Sequence, residues 1–106
     1  MLFLFEVEVG PGYTAEQYAD AWLRASALIQ QAEGAAGTRL HRKIGDPQRL
    51  LAIANWQSKA ARDAMQGAPQ ERIRRIIDSQ AEFVQVHIIG EFDEAEWAVD
   101  PPEVAG

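Results

Sequence analysis

The chain contains no cysteine in its 106 residues. That excludes disulfide bridges, thiolate nucleophiles and cysteine-ligated metals together, and it fits a reducing compartment. Long apolar runs are missing too. The first residues, Met1-Leu2-Phe3-Leu4-Phe5, meet a charge at Glu6, and no basic stretch precedes them. Neither a signal peptide nor a membrane span is expected from this pattern, and the cytoplasm is the expected location. Beyond residue 90 there is no lysine or arginine, while Glu91, Asp93, Glu94, Glu96, Asp100 and Glu103 all fall there. These six acids account for the net charge of −6 and leave ten acids against ten bases in residues 1–90. A neutral body with an acidic tail argues against a nucleic-acid partner. Histidine is confined to His41 and His87, without HxH or HxxxH spacing, so no metal site is expected. Glycine-rich phosphate loops, a Walker motif, Ser-His-Asp order and internal repeats are also absent.

What is present suits one domain with one core. A chain of this length buries only about two-thirds of its unfolded surface, so further burial against a second copy would help it. Residues 2–9 alternate as a strand, with Phe3, Phe5, Val7 and Val9 on one side and Leu2, Leu4, Glu6 and Glu8 on the other. Gly10-Pro11-Gly12 ends it. Thr14 and Gln17 have the spacing of a capping box, and Tyr13 and Tyr18 that of a hydrophobic staple. Tyr18, Ala21, Trp22, Ala25, Leu28, Ile29 and Ala32 then keep helical spacing as far as a stop at Gly34.

Residues 38–44 and 49–56 read as a hairpin turned by Gly45-Asp46-Pro47-Gln48. Ser58 can cap a second helix to about Gln66, interrupted at Gly67-Ala68-Pro69 and resuming from Pro69 to Gln80. Its buried stripe is Ile73, Ile76 and Ile77. Residues 82–90 read as a last strand, with Val84, Val86 and Ile88 on one side and Phe83, Gln85, His87 and Ile89 on the other. Residues 1–90 thus form one domain and residues 91–106 an acidic, extended arm.

The order strand, helix, strand, strand, helix, strand is an α+β arrangement of βαββαβ type. Right-handed crossovers turn it into a four-stranded antiparallel sheet with the helices on one face. The uncovered face carries Leu2, Leu4, Phe83 and Ile89, with either Leu51 and Ile53 or Ala52 and Ala54. An apolar face of that size calls for cover, and a second copy is the simplest one. A homodimer or higher homo-oligomer is therefore expected.

Gly37-Thr38-Arg39-Leu40-His41-Arg42, Asp46-Pro47 and Asn55-Trp56-Gln57-Ser58-Lys59-Ala60-Ala61-Arg62 together resemble the antibiotic biosynthesis monooxygenase family. The strand-end Trp followed by the helix-opening Ser carries the resemblance, which spans residue 1 to about 90. It implies a ferredoxin-like fold and a dimer whose sheets pack into an α+β barrel. It also implies oxidation of quinols or polyketide phenols by O₂ without a cofactor. Some family members instead cleave haem with an Asn, Trp and His set. Those positions fall near Phe5, Met65 and Arg75 here, so haem cleavage is not expected. A fainter resemblance, through Met1-Leu2-Phe3 and the strand order, is to muconolactone isomerases.

An oxygenase of that kind needs an apolar pocket, a way to deprotonate its substrate, and access for O₂. A positioned base contributes about 10²–10⁴-fold. The pocket is expected between helices and sheet, with Phe5, Tyr18, Trp22, Trp56, Met65 and Arg75 around a small aromatic or quinol-type ligand. The same aromatic spacing also suits plain core. Asn55, His87 and His41 are the candidates for catalysis: Asn55 to orient a substrate oxygen, the histidines because imidazole is the side-chain type suited to proton transfer near neutral pH. Each has a structural alternative. Asn55 could satisfy backbone at a strand end. Its parity differs from that of Trp56, so only one of the two can face the helices unless a bulge intervenes. The histidines could sit in a subunit interface. Arg72, Arg74 and Arg75 form a basic turn that suits an anion, salt bridges with Glu71 and Asp78, or a partner's acidic tail. Two further functions stay open: an acid–base isomerase using the same pocket, and a non-enzymatic dimeric ligand-binding domain.

Overall fold

Alternation and turn chemistry set the first element. In the computed structural model, which describes residues 1–67 and 70–103, strand β1 covers Leu2–Val9 and stops at Gly10. Helix α1 covers Ala15–Ile29 behind the expected capping box: the Gln17 backbone N–H donates to Thr14 Oγ1 (3.1 Å), and the Thr14 N–H donates to Gln17 Oε1 (2.9 Å). The helix ends earlier than its apolar spacing suggests. Gln31 and Ala32 donate to Leu28 and Ile29 in tighter i→i+3 bonds. The Gln30 side chain turns away to accept from the Gly37 N–H (2.8 Å). Gly34 has φ +84°, and a β-carbon there would collide with that of Ala61.

Strands β2 (Ala35–Lys43) and β3 (Asp46–Trp56) form the hairpin. Its turn is shorter than expected, only Ile44 and Gly45, because Gly45 takes φ +87°. Asp46, Pro47 and Gln48 therefore belong to β3. Pro47 is tolerated because the β2–β3 register slips there: Arg42 pairs with Leu50 and Lys43 with Asp46, so no ladder bond needs a proline N–H. Helix α2 covers Lys59–Gly67, with Ser58 Oγ accepting from the Ala61 N–H (3.1 Å). Helix α3 covers Glu71–Gln80 and has no side-chain cap at Gln70. The resumption expected at Pro69 lies outside the described residues. Strand β4 covers Val84–Phe92, two residues later than expected. Residues 81–83 are instead a turn, tied by Phe83 N–H to Gln80 O (2.9 Å) and Gly10 N–H to Phe83 O (2.8 Å).

The sheet order is β2-β3-β1-β4, all antiparallel, with the helices on one face as the sequence led us to expect. Val7 pairs with Leu50 and with Val86, which identifies the covered face. Val7 and Ala52 are fully buried, and Val9, Ala15, Tyr18, Leu50 and Trp56 nearly so. The question of which β3 residues face outward is settled: Leu51, Ile53 and Asn55 do, while Ala52, Ala54 and Trp56 face the helices. Phe83 does not join the outer face. It lies before β4 and stacks on Tyr13, with ring centroids 4.5 Å apart and planes 12° from parallel.

A bulge in β4 changes the parity of its end. Leu4 pairs with Gly90 but Phe5 with Ile88, so Ile89 is the extra residue, and Gly90 has φ +146°. Beyond the bulge Glu91 stands opposite Phe3, on the helix side. Residues 93–103 contain no helix or strand, and Trp97 and Val99 on them are exposed. Among the described residues no helix is long and apolar enough to cross a membrane.

Candidate functional site

The covered face is not filled. Between α1, α2, α3 and the sheet lies a cavity of about 470 Å³, within the range of small-molecule sites. Its origin is legible in side-chain size. Ala21 and Ala25 on α1 face Ala54 on β3, and three small residues leave room that larger ones would close. Phe3, Phe5, Trp22, Trp56, Met65 and Ile76 supply most of the apolar wall.

Of the six residues expected at the pocket, Phe5, Tyr18, Trp22, Trp56 and Met65 line it. Arg75 does not. It stands exposed on the outer side of α3, where it pairs with Glu71 (2.8 Å) one turn away. The inward side of α3 is taken by Ile73, Ile76, Ile77 and Gln80, and Arg75 falls between those rows.

The three residues proposed for catalysis are on the other face. Asn55 is half-buried opposite Leu2 of β1, and its side chain has no hydrogen bond among the described residues. His41 is exposed opposite Leu51, and His87 is exposed opposite Glu6, with Nε2 3.8 Å from Glu8 Oε2. The sheet therefore separates Asn55, His41 and His87 from the cavity. They share their face with an ionic cluster in which Arg49 pairs with Glu6, Glu8 and Asp46. The hydrogen bond from Arg49 holds the Glu6 carboxyl below the usual carboxylate range, against some loss of hydration.

Polar groups at the cavity are few. Gln30, Thr38 and Gln80 are engaged with the Gly37 N–H, the Ile53 carbonyl and the Tyr13 hydroxyl. The Tyr18 and Ser26 hydroxyls and the indole N–H groups of Trp22 and Trp56 make no hydrogen bond among the described residues, and none of them is sealed from solvent. These unpaired donors suit an acceptor oxygen on a ligand. Burial pushes the Tyr18 pKa up to about 12, so this phenol stays neutral and donates. No histidine or carboxylate lines the cavity, and no cluster of three or more metal-ligating side chains stands among the described residues.

Among the lining residues that had not been expected, one is charged. Arg62 on α2 is only 14% exposed, with its guanidinium carbon 3.7 Å from the centre of the Phe3 ring. That cation–π contact contributes about 0.5–2 kcal/mol. Nη1 donates to Gln66 Oε1 (3.1 Å) and lies 3.5 Å from Glu91 Oε2. The available signal was helical spacing: Arg62 and Met65 are three apart, so a helix that points one at the sheet points both.

The fold recurs in solved structures. SnoaB, a cofactor-independent oxygenase from Streptomyces nogalater, superposes with a TM-score of 0.70 at 12% identity, over 91% of this chain and 96% of that one. A candidate antibiotic biosynthesis monooxygenase from Bordetella bronchiseptica gives 0.65 at 24% identity, over 86% and 95%. PA3566 from Pseudomonas aeruginosa gives 0.61 at 18% identity, over 87% and 94%. No curated protein matches the chain. Residues 2–73 match the family model described as antibiotic biosynthesis monooxygenase, and the chain belongs to that family.

Proposed function

We propose that this protein is a cofactor-free monooxygenase acting on a quinol or aromatic polyketide-like molecule bound in the cavity between helices and sheet. The observation that carries the reading is the cavity itself: about 470 Å³, walled by Phe3, Phe5, Trp22 and Trp56, with the Tyr18 hydroxyl and two indole N–H groups unpaired. Family membership and the likeness to SnoaB support it.

The chemistry asks little of the protein. An acidic ring carbon or hydroxyl loses a proton, and the resulting anion passes an electron to O₂. Radical and superoxide combine at a ring carbon that still carries a hydrogen. The peroxide anion takes back a proton, and the hydroperoxide loses water with that carbon's hydrogen to leave a carbonyl, so one oxygen atom enters the product and the other leaves as water. Neutral Tyr18 and the indoles hold a substrate oxygen and its developing charge. Since no histidine or carboxylate among the described residues lines the cavity, this reading favours substrates acidic enough to lose the proton to water. The same lack counts against an acid–base isomerase. It also supports a second reading, a ligand-binding domain without turnover.

In this proposal the working unit is a pair of copies. Leu2, Leu4, Leu51 and Ile53 lie together on the outer face, which no helix covers, and Asn55, His41 and His87 belong to that pairing surface. Oxygen uptake against a panel of quinols and anthrone-type phenols tests the activity. Uptake with product oxygen from ¹⁸O₂ is expected. Binding without uptake would establish the second reading instead. Light scattering at micromolar concentration tests the pairing, which a monomer would refute.

A further inference from the structure

Arg62 is the one charged side chain among the described residues lining the cavity. A cation in an apolar pocket is costly unless something compensates it. The compensation is incomplete. Glu91 is shared: its Oε1 lies 3.3 Å from Lys59 Nζ, and its Oε2 3.5 Å from Arg62 Nη1. Lys59 also holds Asp63 at 3.0 Å. Nε and Nη2 of Arg62 have no hydrogen-bond partner among the described residues. One face of the guanidinium is occupied by the Phe3 ring. The contact holds the guanidinium against the ring while Nε and Nη2 keep their N–H groups free.

Two accidents of the chain produce this geometry. The β4 bulge at Ile89 brings Glu91 to the helix side. Helical spacing from the Ser58 cap brings Arg62 over Phe3. A guanidinium held against an aromatic ring, with spare donors, matches an oxyanion better than any neutral group.

We propose that Arg62 is the specificity anchor of the cavity: it selects aromatic ligands carrying an anionic oxygen, a carboxylate or phenolate, over neutral molecules of the same shape. The inference rests on the reading of the cavity as the ligand site, and it does not depend on oxygen chemistry. Glu91 is the internal competitor that the ligand's oxyanion partly displaces. Arg62 acts on substrate choice, and the aromatic wall supplies the rest of the affinity.

The test is equilibrium binding, read by the tryptophan fluorescence of the 106-residue chain, since Trp22 and Trp56 line the cavity. The probes are 2-naphthoate and its neutral isostere 2-naphthamide. The wild type is expected to bind the carboxylate ~10-fold or more tighter, the size of a charge-assisted hydrogen bond. Arg62→Gln and Arg62→Met should abolish that preference by weakening carboxylate binding far more than amide binding. Arg62→Lys should retain part of it, and Glu91→Gln should tighten carboxylate binding. Equal affinity for the two probes in the wild type overturns the proposal, whatever the variants do. So does a preference that survives in Arg62→Gln, or an equal loss of both ligands, which would mark Arg62 as merely structural. Failure of the wild type to bind either probe removes the cavity reading and this inference with it. Anion-selective binding without oxygen uptake keeps the anchor and refutes only the oxygenase.

Discussion

Asn55 and Trp56 are adjacent in the chain and stand on opposite faces of the sheet, Trp56 toward the cavity and Asn55 toward the uncovered side opposite Leu2. Substitutions at the two positions should therefore separate cleanly. Trp56→Ala removes a nearly buried ring and is expected to cost about 3–5 kcal/mol. Asn55→Ala is expected to leave cavity binding unchanged and to alter self-association. Urea unfolding and ligand titration on both variants check this. Loss of cavity binding in folded Asn55→Ala would mean that the sheet does not insulate the two faces.

Much of the architecture was legible because it is written in local chemistry. Thr14 and Gln17 announce their capping box, Ser58 its cap, and Gly10-Pro11-Gly12 a strand end, without help from the rest of the chain. The faces were legible only as pairs. Alternation says that Leu51 and Ile53 oppose Ala52 and Ala54, but which set meets the helices is decided by packing. That is why Asn55 and His41 could be grouped with catalysis from their residue types and then stand behind the sheet, whereas alternation had already set His87 on the uncovered side with Ile89. The bulge at Ile89 was not legible at all, since nothing but register against β1 reveals it. It reassigns Glu91, and with it the surroundings of Arg62. Arg62 lines the cavity where Arg75 was expected to for a related reason. Both are arginines on short helices, and only the rotation of each helix about its axis distinguishes a cavity wall from a solvated ion pair.

Gly34 offers a second prediction. Its φ of +84° disfavours any side chain, and the Ala61 β-carbon occupies the space a new one would need. Gly34→Ala is expected to destabilise by about 2 kcal/mol or more, combining a left-handed backbone penalty of roughly 1–2 kcal/mol with the collision. Gly34→Ala with Ala61→Gly should recover only the steric part. Full recovery in the double variant would show that the backbone at Gly34 carries no penalty.

Tyr18 makes stability depend on alkaline pH. Its folded pKa is about 12 because burial disfavours the phenolate, against an ordinary value of 10. The unfolded chain ionises first. The contribution is fully present below about pH 10 and is lost as pH rises from there toward about 12. A shift of that size corresponds to ~2–3 kcal/mol. Denaturant melts should show stability falling across that window in the wild type and less steeply in Tyr18→Phe. Identical slopes in the two proteins would show that Tyr18 is not buried from solvent.

The cavity is open because α1 and β3 present alanines to it, so filling it should trade binding for stability. Ala54 lies on β3, pairs with Phe3 and Thr38, and lines the cavity wall. Ala54→Val adds two methyl groups on a strand, where a β-branched side chain is favoured. Cavity-filling changes of this kind commonly stabilise by about 0.5–2 kcal/mol. The variant is expected to melt at a higher temperature while losing affinity for aromatic ligands. A packing defect would behave differently: filling it would raise stability and leave ligand behaviour untouched. A site kept open for a substrate must lose something when it closes, and the joint reading of melting temperature and binding decides which of the two this cavity is.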